Sequence, residues 1–444
     1  MLFRSNAKND PKTQAANELS ARLGIERRKK IIESGVLETF TPHQPVRAYE
    51  LLLGREREVQ EIIEYLTTPG LHVLVFGDRG VGKSSISNIV GQVFESEFQD
   101  FRIIRKRCDN ETTFRSIVDD ALNEAGIDII SGGARIQNQS WDLGAVVPTP
   151  LGSPEETWTK SGNRPAESNR AAANLFDRAA SPACVAKQIA REKVLYILDE
   201  VDLIASDEVR KKLARLVRFV SDDTASQFKF LIVGIAKTAA HLTAGHKTVQ
   251  RCLREIPLKR LEVTHIKQIV ANGAERHGLQ LTPKALDYIA KLSNGFPYFT
   301  HLIALKAAED AVTEDRHIID IEHVERSRHR AVGDAEGVLR DAYMNAVRDD
   351  GKNQYRKILY AAALTSSDNL TTAELVEAYN SLWNQQLSAH QLGPYLRRLA
   401  SQDGSVGIFN RLASGVYQFC DPRMPSYIRL AQSSGDELTP SLQQ

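Results

Sequence analysis

The sequence predicts an α/β fold in which a parallel β-sheet is flanked by helices, followed by an all-α segment and a small helix-and-hairpin module. Short β-type runs alternate with helix-length segments between residues 71 and 258, which is typical of strands joined by helical crossovers. Between residues 264 and 312, apolar residues recur at helical spacing without a strand signal. Close to the C-terminus, three short helical segments precede two β-type runs.

Each element is predicted from its own residue pattern. The β-type runs predict strands at 71–76, 101–106, 194–198, 228–233 and 255–258. The run 194–198 is too apolar for an edge strand, so we place it inside the sheet. The all-α segment is predicted to contain helices at 264–277, 283–292 and 298–312. The C-terminal order of a winged helix is predicted from helices at 354–364, 371–383 and 390–400 and β-type runs at 407–410 and 416–419.

Length, composition and charge exclude several classes of protein. A chain of 444 residues is too long for one ordinary core, so we expect two or three domains. No apolar run approaches the ~20 residues of a membrane helix and no signal pattern opens the chain, so a cytoplasmic protein is expected. A net charge of +1 gives no global argument for nucleic acid. Neither a disulfide framework nor a zinc site is predicted, because no CxxC pair occurs among Cys108, Cys184, Cys252 and Cys420.

A glycine-rich loop carries the strongest functional signal. The pattern Gly-x-x-x-x-Gly-Lys-Ser at 77–84 follows a predicted strand and precedes a helix-like run, which is the context that a P-loop requires. Glycines let backbone N–H groups converge on phosphates, and the helix N-terminus adds its positive dipole. Lys83 is expected to reach the β and γ phosphates, and the Ser84 hydroxyl to bind Mg²⁺. The predicted phosphate-binding residues are Gly77, Asp78, Arg79, Gly80, Val81, Gly82, Lys83, Ser84 and Ser85.

Two neighbouring acids form the second element of the predicted site. Asp199 and Glu200 directly follow the apolar run 194–198. In an open α/β sheet, ligands lie outside the carboxyl ends of the strands. We therefore expect Asp199 to face Mg²⁺ and Glu200 to polarise the attacking water, and we expect the two side chains to point to opposite faces of the strand.

Two arginines before the last predicted strand form a third candidate element. Arg251 and Arg254 are three residues apart and would share one helical face. They could complete the nucleotide site of a neighbouring subunit, as an arginine finger supplied in trans, within a homo-oligomer. The alternative is a pair of surface arginines matched with local acids.

Together these motifs resemble the AAA+ superfamily, specifically the bacterial ATPases related to the origin-recognition and cell-division-control initiators and to the STAND signalling ATPases. The resemblance covers roughly residues 42–430. It implies a P-loop NTPase of AAA+ type that binds and hydrolyses ATP with Mg²⁺, with a helical lid and a C-terminal winged helix after the nucleotide-binding domain. The run 53–58 is similar to the segment that helps to enclose adenine, which implies contacts from Gly54 and Arg55.

The lid motif extends the resemblance, and two departures limit it. The run 294–298 resembles the Gly-x-Pro signature of the lid, which implies that Pro297 approaches the base. Many AAA+ proteins carry a polar residue after the fourth strand, where this chain has Val-Gly-Ile-Ala at 233–236. The lid also lacks an initiator-type arginine near Gly295. These departures lean toward a STAND-like nucleotide-gated switch that signals to a separate partner protein with little turnover.

The resemblance and the residue patterns give the predicted domain organisation. A Ser-, Gly- and Pro-rich insertion at 127–180 is a functional lid or a disordered segment, and its Trp141 and Trp158 leave a partner-binding role open. The predicted parts are a basic N-terminal arm at 1–45, the AAA+ domain at 46–260, the lid at 261–335, the winged helix at 336–432 and a disordered tail at 433–444.

Two basic regions are candidates for contact with double-stranded DNA. A winged helix would present the 390–400 helix to a groove, with Arg397, Arg398 and the wing residue Arg411 near phosphates. The segment 350–431 holds eight Lys and Arg against six Asp and Glu, a weak electrostatic footprint, so a protein-docking wing is the alternative. The basic cluster 22–30 either touches phosphates or forms a solvated helix face.

Overall fold

Five parallel strands form the sheet that the sequence predicts. In the computed structural model they are β1 (His72–Gly77), β2 (Arg102–Arg107), β5 (Val194–Asp199), β6 (Lys229–Gly234) and β7 (Leu253–Leu258). They lie side by side in the order β2, β5, β6, β1, β7. Strand β5 pairs with β2 on one side and β6 on the other, so its predicted interior position is confirmed.

The structure describes residues 24–46, 49, 52–125, 129–131, 134–136, 181–235, 249–348, 353–365, 367–383, 386–400 and 407–432. Most of the predicted insertion 127–180, with Trp141 and Trp158, lies outside these residues, as do Arg22 and the predicted tail. Within the insertion, β3 (Ile129–Ser131) and β4 (Ala134–Ile136) pair antiparallel.

By its contacts the chain divides into two units. The sheet unit comprises Arg55–Asp78 and Lys83–Lys259. The helical unit comprises Met1–Gly54, Arg79–Gly82 and Arg260–Gln444. The central P-loop residues 79–82 therefore belong to the helical unit. The finer domain boundaries predicted from the sequence stay predictions.

Helices cover both faces of the sheet. They are α3 (Glu56–Thr67), α4 (Lys83–Glu97), α5 (Phe114–Ala125), α6 (Pro182–Ile189) and α7 (Asp207–Asp222), with a short α8 (Val249–Cys252) before β7. On one face, apolar side chains of α5, α6 and α7 form a core with strand residues such as Tyr196 and Phe230. On the other face α4 lies so close that a Cβ at Gly91 would be 3.2 Å from Ile197 Cδ1. Because successive strand residues face opposite sides, two separate cores hold the sheet.

The helical unit contains the predicted all-α segment. Its helices are α1 (Ile25–Glu33), α2 (Val36–Thr39), α9 (Val263–Glu275), α10 (Pro283–Ser293), α11 (Pro297–Thr313), α12 (Ile321–Asp334) and α13 (Gly337–Ala346). The segment is not purely helical, since β8 (Gln280–Leu281) and β9 (Ile318–Ile319) form a two-residue parallel pair. Strands this short carry no alternating pattern, so residue patterns do not predict them.

The basic cluster at the N-terminus lies on α1 and faces acids of the same unit. Arg27 pairs with Asp310 at 3.1 Å, and Lys30 pairs with Asp315. Arg28 lies 3.4 Å from Glu309. These three cations are thus paired with carboxylates of the same unit while their side chains stay about half exposed. Contact of this cluster with phosphates stays a prediction.

The C-terminal module has the predicted order of helix, helix, helix and hairpin. Its elements are α14 (Gln354–Leu364), β10 (Leu370–Thr371), α15 (Thr372–Trp383), α16 (Ala389–Leu399), β11 (Phe409–Ala413), β12 (Val416–Phe419) and α17 (Met424–Ala431). Strand β12 lies between β10 and β11. Leu392, Leu396 and Leu399 form the buried side of α16. The predicted fold class, a flanked parallel sheet followed by helices and a winged helix, is confirmed. No helix in the described ranges could cross a bilayer.

Candidate nucleotide site

The P-loop connects β1 to α4 through glycines that no other residue could replace without strain. Gly80 has φ +81° and Gly82 has φ +96°, a backbone region that L side chains rarely adopt. Gly77 ends β1 with its Cα against the carbonyl oxygen of Leu258, where a Cβ would clash. The loop ends at Lys83, the first residue of α4, so the positive end of the helix dipole faces the loop.

Lys83 is held by the first residues of the loop. Its Nζ donates to the carbonyl oxygens of Gly77 at 3.0 Å and Asp78 at 2.8 Å. The ammonium group therefore lies beside the backbone where the strand gives way to the loop. The binding of phosphates by Lys83, which the motif predicts, stays a prediction.

Ser84 and Asp199 meet although they are far apart in the sequence. The Ser84 hydroxyl donates to Asp199 Oδ2 at 2.7 Å, and Asp199 Oδ1 accepts the Glu200 N–H at 2.8 Å. Burial raises the pKa of the Asp199 carboxyl, while the hydrogen bond from Ser84 opposes that rise. Strand β6 lies between β1 and β5, so the two groups converge across an intervening strand.

The donor set fits Mg²⁺. A hydroxyl and a carboxylate are hard oxygen ligands, which Mg²⁺ prefers, and Mg²⁺ usually takes only one or two protein groups beside phosphate oxygens and water. Across the part of the chain that the structure covers, no group of three His, Cys, Asp or Glu side chains could hold a metal by itself. Ser84 and Asp199 would thus hold the ion together with a bound triphosphate.

Glu200 does not continue the strand, as its sequence position had suggested. Strand β5 ends at Asp199, and Glu200 has φ 57° and ψ 36°, in the left-handed region, where it starts a short 3-10 turn at Val201–Leu203. The expectation that alternation along a strand separates the two acids is therefore wrong. A left-handed backbone at a non-glycine residue is uncommon and costs free energy, which draws attention to this position.

Arg107 is a site residue that sequence reasoning missed. Its guanidinium binds the Glu200 carboxylate with two hydrogen bonds, from Nε to Oε2 at 2.6 Å and from Nη2 to Oε1 at 2.7 Å. Arg107 ends β2, which pairs with β5 so that Arg107 lies opposite Asp199. The sequence contained a signal for this residue, since Arg107 directly follows the predicted strand 101–106. The carboxyl ends of neighbouring parallel strands meet at one edge of a sheet, which could have placed Arg107 near Glu200.

Arg251 and Arg254 do not share a helical face. Arg251 lies on α8, but the chain passes into β7 at Leu253, so Arg254 is a strand residue. Its guanidinium lies 5.8 Å from the centre of the Tyr65 ring. The shared-face prediction is wrong because the strand begins two residues earlier than its apolar pattern indicated. Both side chains are exposed, and their role toward a neighbouring subunit stays a prediction.

The residues expected near adenine lie in both units. In the helical unit, Gly54 has φ +74° and packs against the His265 side chain, and Pro297 is the first residue of α11. In the sheet unit, Arg55 is 5% exposed, pairs with Glu58 at 2.9 Å and donates to the Lys259 carbonyl. The Arg55 guanidinium thus ties α3 to the end of the sheet unit. Contact of these residues with a base stays a prediction.

Strand, glycine loop, helix and an interior acidic strand together define a P-loop nucleotide-binding fold. No family model matches the chain, and no curated protein matches it. Solved structures do match. The Aeropyrum pernix ORC1 protein in complex with DNA is 15% identical, with 89% of this chain and 95% of that chain covered and a TM-score of 0.44.

Two further solved structures show the same level of similarity. The Walker-type ATPase of Pyrococcus abyssi is 15% identical, with 87% of this chain and 99% of that chain covered and a TM-score of 0.46. Cdc6p of Pyrobaculum aerophilum is 14% identical, with 89% and 97% covered and a TM-score of 0.44. The names of the Aeropyrum pernix and Pyrobaculum aerophilum proteins belong to the origin-recognition and cell-division-control group that the sequence motifs resemble. Likeness at this level carries no argument about the activity of this chain.

Proposed function

We propose that this protein is a Mg²⁺-dependent AAA+ ATPase, in which ATP binding and hydrolysis rearrange the lid and the winged helix. The hydrogen bond of 2.7 Å between Ser84 and Asp199 carries the proposal. It brings the last residue of the P-loop to the acid of an interior strand, and these are the two groups that would hold Mg²⁺. A glycine-rich turn that binds no nucleotide would not explain why Asp199 lies beside Ser84.

Each site residue has a distinct role in this proposal. The loop amides and the α4 N-terminus hold the phosphates, and Lys83 neutralises charge on the β and γ groups. Mg²⁺, when bound, neutralises the charge that develops on the transferred phosphoryl group. Glu200 orients the attacking water, and Arg107 sets how free its carboxylate is to do so.

ATP turnover and binding in two variants test the proposal. Lys83→Ala should lose both, because the loop is left without its cation. Glu200→Gln should bind ATP but turn over at least about 100-fold more slowly, as expected for loss of a general base. The matched controls are Lys187→Ala and Glu111→Gln, two exposed positions of the same unit, which should behave as wild type. Unchanged hydrolysis in both site variants would remove the proposal.

A second candidate is a nucleotide-gated switch with little turnover. The specific observation that favours it is the pairing of both Glu200 carboxylate oxygens with Arg107, which engages the oxygens that would otherwise orient the attacking water. The absence of a polar residue at 233–236 agrees with it. Magnesium-linked ATP binding by calorimetry without phosphate release would select this candidate over the ATPase.

The winged helix is the proposed contact for duplex DNA. Arg397 on α16 and Arg411 on β11 are both exposed. Arg398 is less available, because it donates to the Arg348 carbonyl at 2.6 Å and its guanidinium stacks 4.4 Å from the Tyr355 ring centre. Docking of a partner protein on the same face is the alternative. A homo-oligomer completed by Arg251 or Arg254 is tested by mass in solution with ADP and with a slowly hydrolysed ATP analogue.

A further inference from the structure

Arg423 is a fully charged side chain in the interior of the helical unit. It precedes α17 and is 1% exposed. Its Nε and Nη2 atoms donate to the two Asp421 carboxylate oxygens at 3.0 and 2.8 Å, and its Nη1 donates to Glu336 at 2.6 Å. Burying a charge is costly unless it is paired and hydrogen-bonded, so this geometry keeps the side chain in one position.

The stem of Arg423 contacts the P-loop. The loop segment Arg79–Gly82 packs within the same unit. A Cβ at Gly80 would lie 3.1 Å from Arg423 Cδ and 3.6 Å from Tyr298 Cβ, so both side chains lie directly against the Gly80 backbone. A Cβ at Gly82 would lie 4.0 Å from Pro297 Cγ. The phosphate-binding glycines thus rest on the start of α11 and on the residue before α17.

Glu336 joins these contacts into one network. Its carboxylate accepts from Arg423, and its backbone N–H donates to the Tyr298 hydroxyl at 3.2 Å. The two residues that touch Gly80 are therefore held by the same neighbour. Three segments that are distant in the sequence, at 298, 336 and 423, meet at the tip of the loop.

Arg423 is not itself suited to bind a phosphate. One guanidinium carries a single positive charge, and Asp421 and Glu336 together carry two negative charges, so the cluster is net negative. The contact with Gly80 is made by the methylene stem and leaves the guanidinium on its carboxylates. The residue can act on nucleotide only through the shape of the loop.

We propose that Arg423 is a positioning residue that couples the P-loop to the C-terminal helix. Its stem, fixed by Asp421 and Glu336, keeps the loop tip in the conformation that receives phosphates. By thermodynamic reciprocity, nucleotide bound to the loop then stabilises the packing of α17. The inference rests on the proposed function, because it requires nucleotide at the P-loop, and it adds the device that links nucleotide to the C-terminal module.

Release of a fluorescent ADP analogue from the full-length protein tests the coupling. Arg423→Met keeps an apolar stem but removes the anchor, and Glu336→Gln leaves Arg423 in place with a weaker anchor. Both should release the analogue faster, by about tenfold for Arg423→Met, which is within the usual range of coupling between sites. In wild type, ADP should slow amide hydrogen exchange in α17, and in Arg423→Met this protection should be lost.

Arg429→Met is the matched control on the same helix. Arg429 donates to the Ala363 carbonyl at 2.8 Å and to the Lys291 carbonyl at 3.0 Å, so its loss loosens α17 without removing a contact to the loop. It should release ADP at the wild-type rate. Wild-type release and intact α17 protection in both Arg423→Met and Glu336→Gln would overturn the coupling. A wild-type protein that binds no ADP analogue would overturn the proposed function and the coupling together.

Discussion

Arg107 and Glu200 form a two-point ion pair at the carboxyl edge of the sheet. The pair exists because β2 and β5 are neighbours, with Arg107 opposite Asp199 and Glu200 one residue further on. The Arg107 side chain is 78% exposed and the Glu200 side chain is 29% exposed. An ion pair this open to water contributes about 1 kcal/mol or less, so ordinary motion can break it. The proposed water-orienting carboxylate is therefore restrained but not locked.

Removal of this restraint should raise basal ATP turnover. In Arg107→Ala, the two hydrogen bonds that hold the Glu200 carboxylate against Arg107 are lost, so we expect kcat to rise about two- to fivefold with KM nearly unchanged. Phosphate release at steady state measures both constants. Arg102→Ala is the control, because Arg102 lies on the same strand and pairs with Glu192 away from the loop. A fall of fivefold or more in Arg107→Ala would show instead that the pair holds Glu200 in its productive position.

Loss of the Ser84 hydroxyl should remove the magnesium dependence of nucleotide binding. Ser84→Ala leaves Lys83 and the loop amides in place, so ATP should still bind without metal. The tightening of ATP affinity by Mg²⁺ should fall at least about tenfold, because the ion loses one of its two protein ligands. Calorimetry with and without Mg²⁺ measures the difference. The control is Ser96→Ala, at an exposed position on the same helix, in which Mg²⁺ should increase the ATP affinity as much as in wild type. An equal increase in Ser84→Ala and Ser96→Ala would argue against Ser84 as a ligand.

The elements that the sequence predicted well are those whose signals are local. The P-loop needs a strand, glycines at fixed spacing and a helix start, all within neighbouring residues. A second local pattern is Thr371 followed three residues later by Glu374, which is the spacing of a capping box at a helix start. The structure shows both bonds, from the Thr371 N–H to Glu374 Oε2 at 2.8 Å and from the Glu374 N–H to Thr371 Oγ1 at 3.2 Å. Such patterns depend on backbone geometry over a few neighbouring residues, so they can be recognised from the sequence alone.

The features that the sequence did not predict depend on tertiary packing. Arg107 reaches Glu200 only because β2 pairs with β5, and strand order is not visible in a run of residues. No sequence pattern distinguishes Arg423 from the other basic residues, because its burial against Gly80 depends on the fold. Arg254 was assigned to a helix because a strand that starts beside a short helix has no clear boundary in its apolar pattern.

If the winged helix contacts duplex DNA, its affinity should depend on salt and on two arginines. Each phosphate contact that is lost should reduce the slope of log affinity against log salt by about one. We expect this for Arg397→Ala and for Arg411→Ala, measured by fluorescence anisotropy on a short duplex. Arg326→Ala is the control, since it is an exposed arginine paired with Glu314 at 2.7 Å. Affinity that is insensitive to salt would favour protein docking on this face.

The acid stability of the sheet unit should depend on His72. This residue begins β1, is 1% exposed and accepts the Phe230 N–H through Nδ1 at 3.2 Å. Burial, with help from the nearby charge of Lys229, lowers the pKa of His72 to about 3. In the unfolded chain the imidazole takes up a proton below its ordinary value of 6.5. Between these two values the unfolded state binds more protons, so the stability of the fold falls as pH falls.

His72→Asn should make this loss of stability shallower. The asparagine oxygen can still accept from Phe230, but the side chain does not titrate, so one proton is removed from the linkage. One proton corresponds to about 1.4 kcal/mol per pH unit, so this is the largest change expected in the slope of the free energy of unfolding against pH. Urea unfolding of the full chain at pH 7 and pH 5 measures it, with His329→Asn, an exposed position, as the control. The variant will be less stable at pH 7, because a buried ring is lost, so the comparison lies in the slope and not in the absolute value. If wild type, control and His72→Asn lose the same free energy of unfolding between pH 7 and pH 5, protonation of His72 does not cause the loss of stability in acid.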